Sequence, residues 1–307
     1  MSHRLVAMLL AVALFWGATF MLIKVAGREL SAVQILWLRL VLGAAIVAPF
    51  ALLRLGARPL WSEIRPVWPR LLAVSAVTFA IPTLTLAWGQ RRIDSGLAGV
   101  IVAGAPLFAA LLSLRLARHD TVTGLRLVGL FVGFAGVALL VGAQPSGDIT
   151  AALAVASVGI NYAFAAVLTG RWLGGLHPLA SALGMLVLAA LVLLPLAATQ
   201  VPSELPGWRV SVSMLVLGTV CTGIGFILWL AVIAGAGASR AVLVNYLVPA
   251  VALGYGALIL DEPVAPIKLA GLLVVLLGVA LGSGAIGSRR ALAPRRKVPD
   301  PRVDSPS

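Results

Sequence analysis

Apolar stretches long enough to cross a bilayer fill this chain almost from end to end, and they constrain its fold more than any motif does. A span of about 20 apolar residues covers the roughly 30 Å of hydrocarbon in a membrane. The stretches are 5–25, 31–53, 71–90, 96–115, 123–143, 149–170, 178–199, 210–233, 240–260 and 264–286. The connections between them are mostly short, so no sizeable soluble domain fits between spans. The expected fold is an all-α polytopic membrane protein of ten transmembrane helices. No clear small-x-small cleavage site follows the first stretch, which therefore reads as a retained helix rather than a signal peptide.

A formal net charge of +13 would suggest a polyanionic partner if the basic residues shared one soluble face. They do not. With both termini placed in the cytoplasm, only Lys24, Arg28, Arg91, Arg92, Arg209 and Lys268 of the 23 Lys and Arg fall outside, and Arg39 lies within a span. The other sixteen face inwards. That bias follows the positive-inside rule, which supports an even number of spans in a cell (inner) membrane. No nucleic-acid partner is expected; the partners are a small-molecule solute and the lipid bilayer. Cys221 is the sole cysteine, so an intramolecular disulfide is excluded. No Cys/His cluster has metal-ligand spacing and no phosphate-binding loop is present, so neither a metal, a cofactor nor ATP-driven pumping is expected.

Ten spans invite a search for a five-plus-five duplication. The fourth span holds Pro106 and the ninth Pro249. Downstream, Gly129 and Gly271 open two helices that carry the same letters, GVAL, at 136–139 and 278–281. An acid precedes the first of those glycines by nine positions in both copies, Asp120 and Glu262. Because each copy has an odd number of spans, the second would enter the membrane from the opposite side. The domains read as a first repeat at 1–145, an inverted second repeat at 146–287, and a disordered basic cytoplasmic tail at 288–307. The basic cluster from Arg289 to Lys297 in that tail suits a stop-transfer anchor near anionic lipid. Segment 54–70 reads as an inner-side loop, with Trp61 and Trp68 in the interfacial belt.

Arg39 is the sharpest single signal, about nine residues into the second span. A cation near the bilayer centre costs roughly 2.5–3.5 kcal/mol on insertion scales, so it is a functional candidate by default. Three readings stand: a fixed positive site for a substrate carboxylate, a clamp on a neighbouring helix, or snorkelling to the nearer interface. Pro82, Pro106 and Pro249 mark helix kinks, because each deprives the carbonyl four residues earlier of its helical donor. Polar side chains sit near those breaks: Thr78 and Thr85 around Pro82, Asn245 and Tyr246 before Pro249. In the sixth span Ser157 and Asn161 share a face, with Tyr162 adjacent. Trp16, Thr19, Trp88 and Trp229 add aromatic and hydroxyl surface, although tryptophan near a span end also serves as an interfacial anchor. These residues form a candidate cavity lining; the competing role for each is interhelical glue. Asp120 and Glu262 read as helix-capping acids rather than ion-coupling groups. The pairs Gly129–Gly133 and Gly278–Gly282 match a close-packing spacing, used within a monomer or in a homodimer.

The string FWGATF at 15–20, Arg39, the Pro106 region and the run from Thr222 to Leu281 together resemble the drug/metabolite transporter superfamily, in its EamA-type branch. That run reads TGIGFILWLAVIAGAGASRAVLVNYLVPAVALGYGALILDEP, followed by PIKLAGLLVVLLGVAL. The family's Gly-Glu pair after the fourth and ninth spans is approached by Asp261–Glu262, whereas Arg118–His119–Asp120 departs from it. The resemblance implies ten helices, two inverted repeats and a central cavity lined by spans one, three, four, six, eight and nine. It also implies export of amino acids or other small metabolites. An intramembrane enzyme would need paired carboxylates, a spaced His and acid, or metal ligands, and only His119–Asp120 hints at these. A non-transporting scaffold would need a dry interior. The expected function is transport by alternating access, without catalysis.

Overall fold

The computed structural model describes residues 2–105, 107–108, 125–142, 148–200, 204–236 and 244–282. Pro106, Asp120, the boundary expected near 145 and the tail at 288–307 lie outside these residues. Every element among them is helical. They are α1 (His3–Ala26), α2 (Ala32–Leu55), α3 (Ala57–Gly89), α4 (Ser95–Val102) and α5 (Leu125–Gly142), then α6 (Ile149–Leu173), α7 (Pro178–Ala198), α8 (Trp208–Ala236), α9 (Val244–Leu260) and α10 (Pro266–Gly282). Six of these, α1, α2, α3, α6, α7 and α8, are long and apolar enough to cross a membrane, and α5, α9 and α10 contain shorter apolar helices. The chain is a multi-pass helical membrane protein.

Local chemistry sets the helix ends. Ser31 caps α2 by accepting from Gln34 N–H, and the Gln34 side chain accepts from Ser31 N–H in return, so two orphan donors are satisfied reciprocally. Asp148 caps α6 through Ala151 N–H at 2.8 Å, and His177 Nδ1 caps α7 through Leu179 N–H. Gly56, at φ 81°, ends α2 in a conformation that an L side chain resists. The chain then turns straight into α3. Segment 54–70 is therefore not the expected loop: Ala57–Ile64 is helical and passes through a 3₁₀ turn, Arg65–Val67, into the rest of α3. Trp61 and Trp68 on it are exposed.

Two helices carry wide π-helical turns in their middles, Ala76–Ala80 in α3 and Val216–Ile224 in α8. In α3 the wide turn lies where Pro82 removes the donor for the Thr78 carbonyl. In α8 there is no proline; instead Gly218 and Gly223 let Leu42 and Ile46 of α2 pack against the backbone. Prolines also interrupt α2 at Pro49 and α7 at Pro195, each seventeen residues after its helix begins (32 to 49, 178 to 195). The sequence reading passed over these two.

Helix pairing repeats with a shift of five. α1 packs on α9 and α6 on α4; α2 packs on α8 and α7 on α3; α1 packs on α8 and α6 on α3. The remaining main pairs, α2–α7, α4–α9 and α5–α10, map onto themselves under the same exchange. A chain built from two copies of one helix plan would give this pattern. The α5–α10 crossing is tightest at Gly133 and Gly278, where a Cβ on Gly278 would strike the Gly133 backbone.

Candidate functional site

Arg39 projects from α2 into the bundle, between α3 and α8. Its Nε donates to Thr222 Oγ1 at 2.8 Å and its Nη1 to Thr83 Oγ1 at 3.3 Å. Thr222 Oγ1 itself donates to the Leu217 carbonyl at 2.9 Å, five residues back across the wide turn. Its single proton is thus committed, which leaves its lone pairs to receive the guanidinium. Both threonines are buried, so the side chain is held inwards rather than reaching for an interface. The described residues provide no carboxylate partner for Arg39. Arg39 as a whole residue is only partly buried.

A row of rings runs away from this cation. The Arg39 guanidinium carbon is 6.0 Å from the Phe79 ring centre. Phe79 lies 5.5 Å from Phe226, Phe226 lies 6.3 Å from Trp16, and Trp16 lies 5.1 Å from Trp229. Tyr162 of α6 and Cys221 of α8 are within electrostatic reach of the cation, and Thr19 of α1 lies near Cys221 while donating to the Phe15 carbonyl at 3.4 Å. Helices α1, α2, α3, α6 and α8 therefore converge on one polar-aromatic locus.

The structure gathers Arg39, Trp16, Thr19, Tyr162 and Trp229 from the sequence-derived candidates at this locus. The others lie differently. Thr78 Oγ1 donates to Val74 O at 2.7 Å, Ser157 Oγ to Ala154 O at 2.6 Å and Asn161 Nδ2 to Ser157 O at 2.9 Å. Each satisfies itself on its own helix. Tyr246 donates to Val279 O of α10 at 3.3 Å, which joins two helices. Trp88 is exposed and lies under Arg92, 4.2 Å from ring to guanidinium, as an anchor at a helix end would. Thr85 and Asn245 are half-buried and Pro82 and Pro249 buried. Thr83, Thr222, Phe79 and Phe226 were passed over because nothing in the sequence separates them from the other threonines and phenylalanines in apolar stretches.

A second polar cluster lies at the Lys24 end of the bundle. Glu262 Oε1 accepts from Lys24 Nζ at 2.8 Å and from the Ser95 N–H at 2.8 Å, and its Oε2 accepts from the Gly96 N–H at 2.9 Å. Glu262 thus sits on the first turn of α4, not on α10, the helix that follows it. Asp261, at φ 54°, turns the chain there, and Gly256 leaves the space that the Glu262 carboxylate occupies. Burial alone would raise the carboxyl's pKa, but the Gly96 N–H, the Lys24 ammonium and the Ser95 N–H together hold it below the usual carboxylate value. Lys24 also reaches Asp94 at 3.6 Å, and Asp94 takes Lys268 at 2.5 Å. Two anions and two cations alternate across α1, the start of α4, the α9–α10 turn and α10. No three His, Cys, Asp or Glu among the described residues are grouped to hold a metal.

The described helices form a membrane bundle with a repeated pairing plan and Arg39 held inside it. The EamA-like transporter family model matches residues 3–142 and again 145–284, and the chain belongs to that family. It is 28% identical over 268 residues to an uncharacterized transporter of Archaeoglobus fulgidus, covering 86% of this chain and 93% of that one. It is 27% identical over 303 residues to a "Probable terminal-alkyne amino-acid exporter" of Streptantibioticus cattleyicolor, covering 93% and 94%. One crystal structure overlays with a TM-score of 0.65 at 17% identity, over 92% of this chain and 98% of that one, which speaks for the fold alone.

Proposed function

We propose that this chain exports small organic metabolites, amino acids among them, across the inner membrane by alternating access. In this reading ten helices span the bilayer, both termini are cytoplasmic, and the second five-helix unit is inverted relative to the first. The observation that carries it is the setting of Arg39. A guanidinium inside the bundle, bonded only to neutral hydroxyls among the described residues, keeps an uncompensated charge. A solute carboxylate would satisfy that charge while apolar parts of the solute lie along Phe79, Phe226 and Trp16. The helix pairing with a shift of five supports two units able to rock about this locus. The wide turns of α3 and α8 lie beside it, where helix irregularity is tolerated if protein or a cavity satisfies the freed groups. The exporter named among the relatives supports the direction and the amino-acid class. Among the described residues no carboxylate lies beside Arg39, and export down a solute gradient needs no proton relay there.

The test is flux. Purified protein in liposomes should move members of an amino-acid and organic-acid panel faster than empty liposomes do. Absence of flux across the whole panel would overturn the reading. Cysteine labelling checks the inversion separately: loops at positions 120 and 262 should react from opposite compartments.

A further inference from the structure

The charged cluster at the Lys24 end ties helices α1–α5 to helices α6–α10. Lys24 of α1 is held to Glu262 of the α9–α10 turn at 2.8 Å, and Lys268 of α10 to Asp94, the N-cap of α4, at 2.5 Å. Two further ties cross the same way at this end. Glu29 accepts from Gly207 N–H at 2.7 Å, and Ser31 Oγ donates to Gln200 Oε1 at 2.7 Å. At the opposite end the described residues show one, Glu63 accepting from His177 N–H at 2.8 Å. Among the described residues, the polar fastening is concentrated at the Lys24 end.

Charges are a poor material for a permanent seam. Apolar side chains of similar size often hold such a contact as well or better, and the best-attested use of a buried pair is in setting register or switching. The composition of this cluster suits a switch. Each half of the chain contributes one acid and one base: Lys24 and Asp94 from the first half, Glu262 and Lys268 from the second. Lys24 lies 3.6 Å from Asp94 of its own half, and Lys268 already donates at 2.6 Å to the carbonyl of Pro263, the residue after Glu262. The four charges therefore have a second pairing, within each half, that leaves none of them alone. Water assists the exchange, because the Lys24 and Asp94 side chains are 25% and 29% exposed.

The helices beside the cluster are shut. Ile23 of α1, Leu97 of α4 and Leu253 of α9 belong to one buried core, and a Cβ on Gly96 would stand 3.0 Å from the Leu253 Cα. Rocking of one half against the other must part such a contact at one end of the bundle at a time.

We infer that the four charges form the gate at this end of the transport path. Lys24–Glu262 and Asp94–Lys268 hold α1 and α4 against the α9–α10 turn and α10 when the end is shut, and re-pair as Lys24–Asp94 and Glu262–Lys268 when it opens towards the Arg39 locus. This rests on the transporter reading.

Opening here should uncover Ser95, which is fully buried and donates to Glu262 Oε1 at 2.9 Å. Ser95→Cys, in a Cys221→Ala background, reports that opening through its reaction with a charged maleimide in detergent, with label at position 95 read by mass spectrometry. Lys24→Met should raise the rate about fivefold, the population shift expected on losing one part-exposed ion pair. Asp94→Asn should do the same, and carries the test if Lys24→Met does not fold. Glu29 and Gly207 supply a clamp that leaves the four charges unchanged. A Cβ on Gly207 would stand 3.2 Å from Glu29 Oε1, so Glu29→Cys with Gly207→Cys can be joined by a disulfide or a short cleavable linker. Joining them should slow labelling at position 95 in every background and stop flux of labelled leucine, phenylalanine and glutamate in liposomes; reduction should restore both. Unchanged labelling in Lys24→Met and Asp94→Asn would overturn the gate. So would labelling that stays fast through a closed clamp, or full flux through one. Any of these with flux intact in the unclamped protein removes the gate alone. A labelling response with no flux from the unclamped protein leaves a moving contact but removes its part in transport, along with the transporter reading.

Discussion

Lys24 donates to Glu262 across 2.8 Å and 238 residues of chain. The contact joins the first helix of the first unit to the turn between the last two helices of the second. Glu262 is nearly buried while Lys24 is a quarter exposed, so the carboxylate has more to lose. Its removal leaves the Ser95 and Gly96 N–H groups and the ammonium without their acceptor.

Glu262→Gln should therefore destabilise the protein by about 2–3 kcal/mol, somewhat below the range for a fully buried pair because Lys24 keeps some solvent. Lys24→Met should cost less, since Glu262 retains its backbone donors. Denaturation of both single variants and of the double variant checks this. A coupling energy near zero would show that the pair does not act as one unit.

The same carboxyl predicts a pH dependence with a definite sign. Its folded pKa lies below its ordinary value of 4.5, so in the interval between them the unfolded chain binds more protons. Stability then rises with pH across that interval. The contribution is fully present above pH 4.5 and is lost as pH falls through the folded pKa. Tm measured against pH should show the wild type's advantage over Glu262→Gln shrinking below pH 4.5 and holding steady above it.

Arg39 and Thr222 should fail together. Thr222→Val removes the acceptor that aims the guanidinium, and hydrogen bonds to charged groups are worth about 1.5–3 kcal/mol. Transport should fall about tenfold or more in Thr222→Val, and Arg39→Gln should lose nearly all of it. Arg39→Lys keeps the charge but has one ammonium where two hydroxyls, on α3 and α8, were bridged; it should not restore full flux. Full transport by a normally expressed Arg39→Gln would remove Arg39 as a substrate ligand.

The membrane fold was legible because it follows from apolar run length and loop charge, both properties of local sequence. The candidate site was legible only in its exception, Arg39, whose cost in lipid makes it conspicuous. Thr83 and Thr222 gain meaning only from lying opposite that side chain, and a period of 3.6 cannot say which helix lies opposite. The hydrogen bonds of Thr78, Ser157 and Asn161 were illegible for a related reason. A hydroxyl or amide in an apolar helix can satisfy itself on its own backbone three or four residues back, as all three do. Glu262 was recognised as standing near a helix start, but the helix it meets is α4, far away in the chain. The wide turn in α8 has no proline to announce it.

The glycines repeated in the two units make the last prediction. Gly278 lies against the Gly133 backbone, and no side-chain rotation can relieve a Cβ that meets Cα and N atoms. Gly278→Ala must therefore push α5 and α10 apart, at a cost of about 1–3 kcal/mol or more. Gly254 of α9 is also helical, but a Cβ there meets nothing within 4 Å. Gly254→Ala gains helix propensity and should be neutral or stabilising by up to about 1 kcal/mol. Both variants gain one methyl in an apolar helix, so composition cannot separate them. Opposite shifts in Tm would show that the α5–α10 crossing is what Gly278 serves. Equal shifts would show that the two units are not held together there.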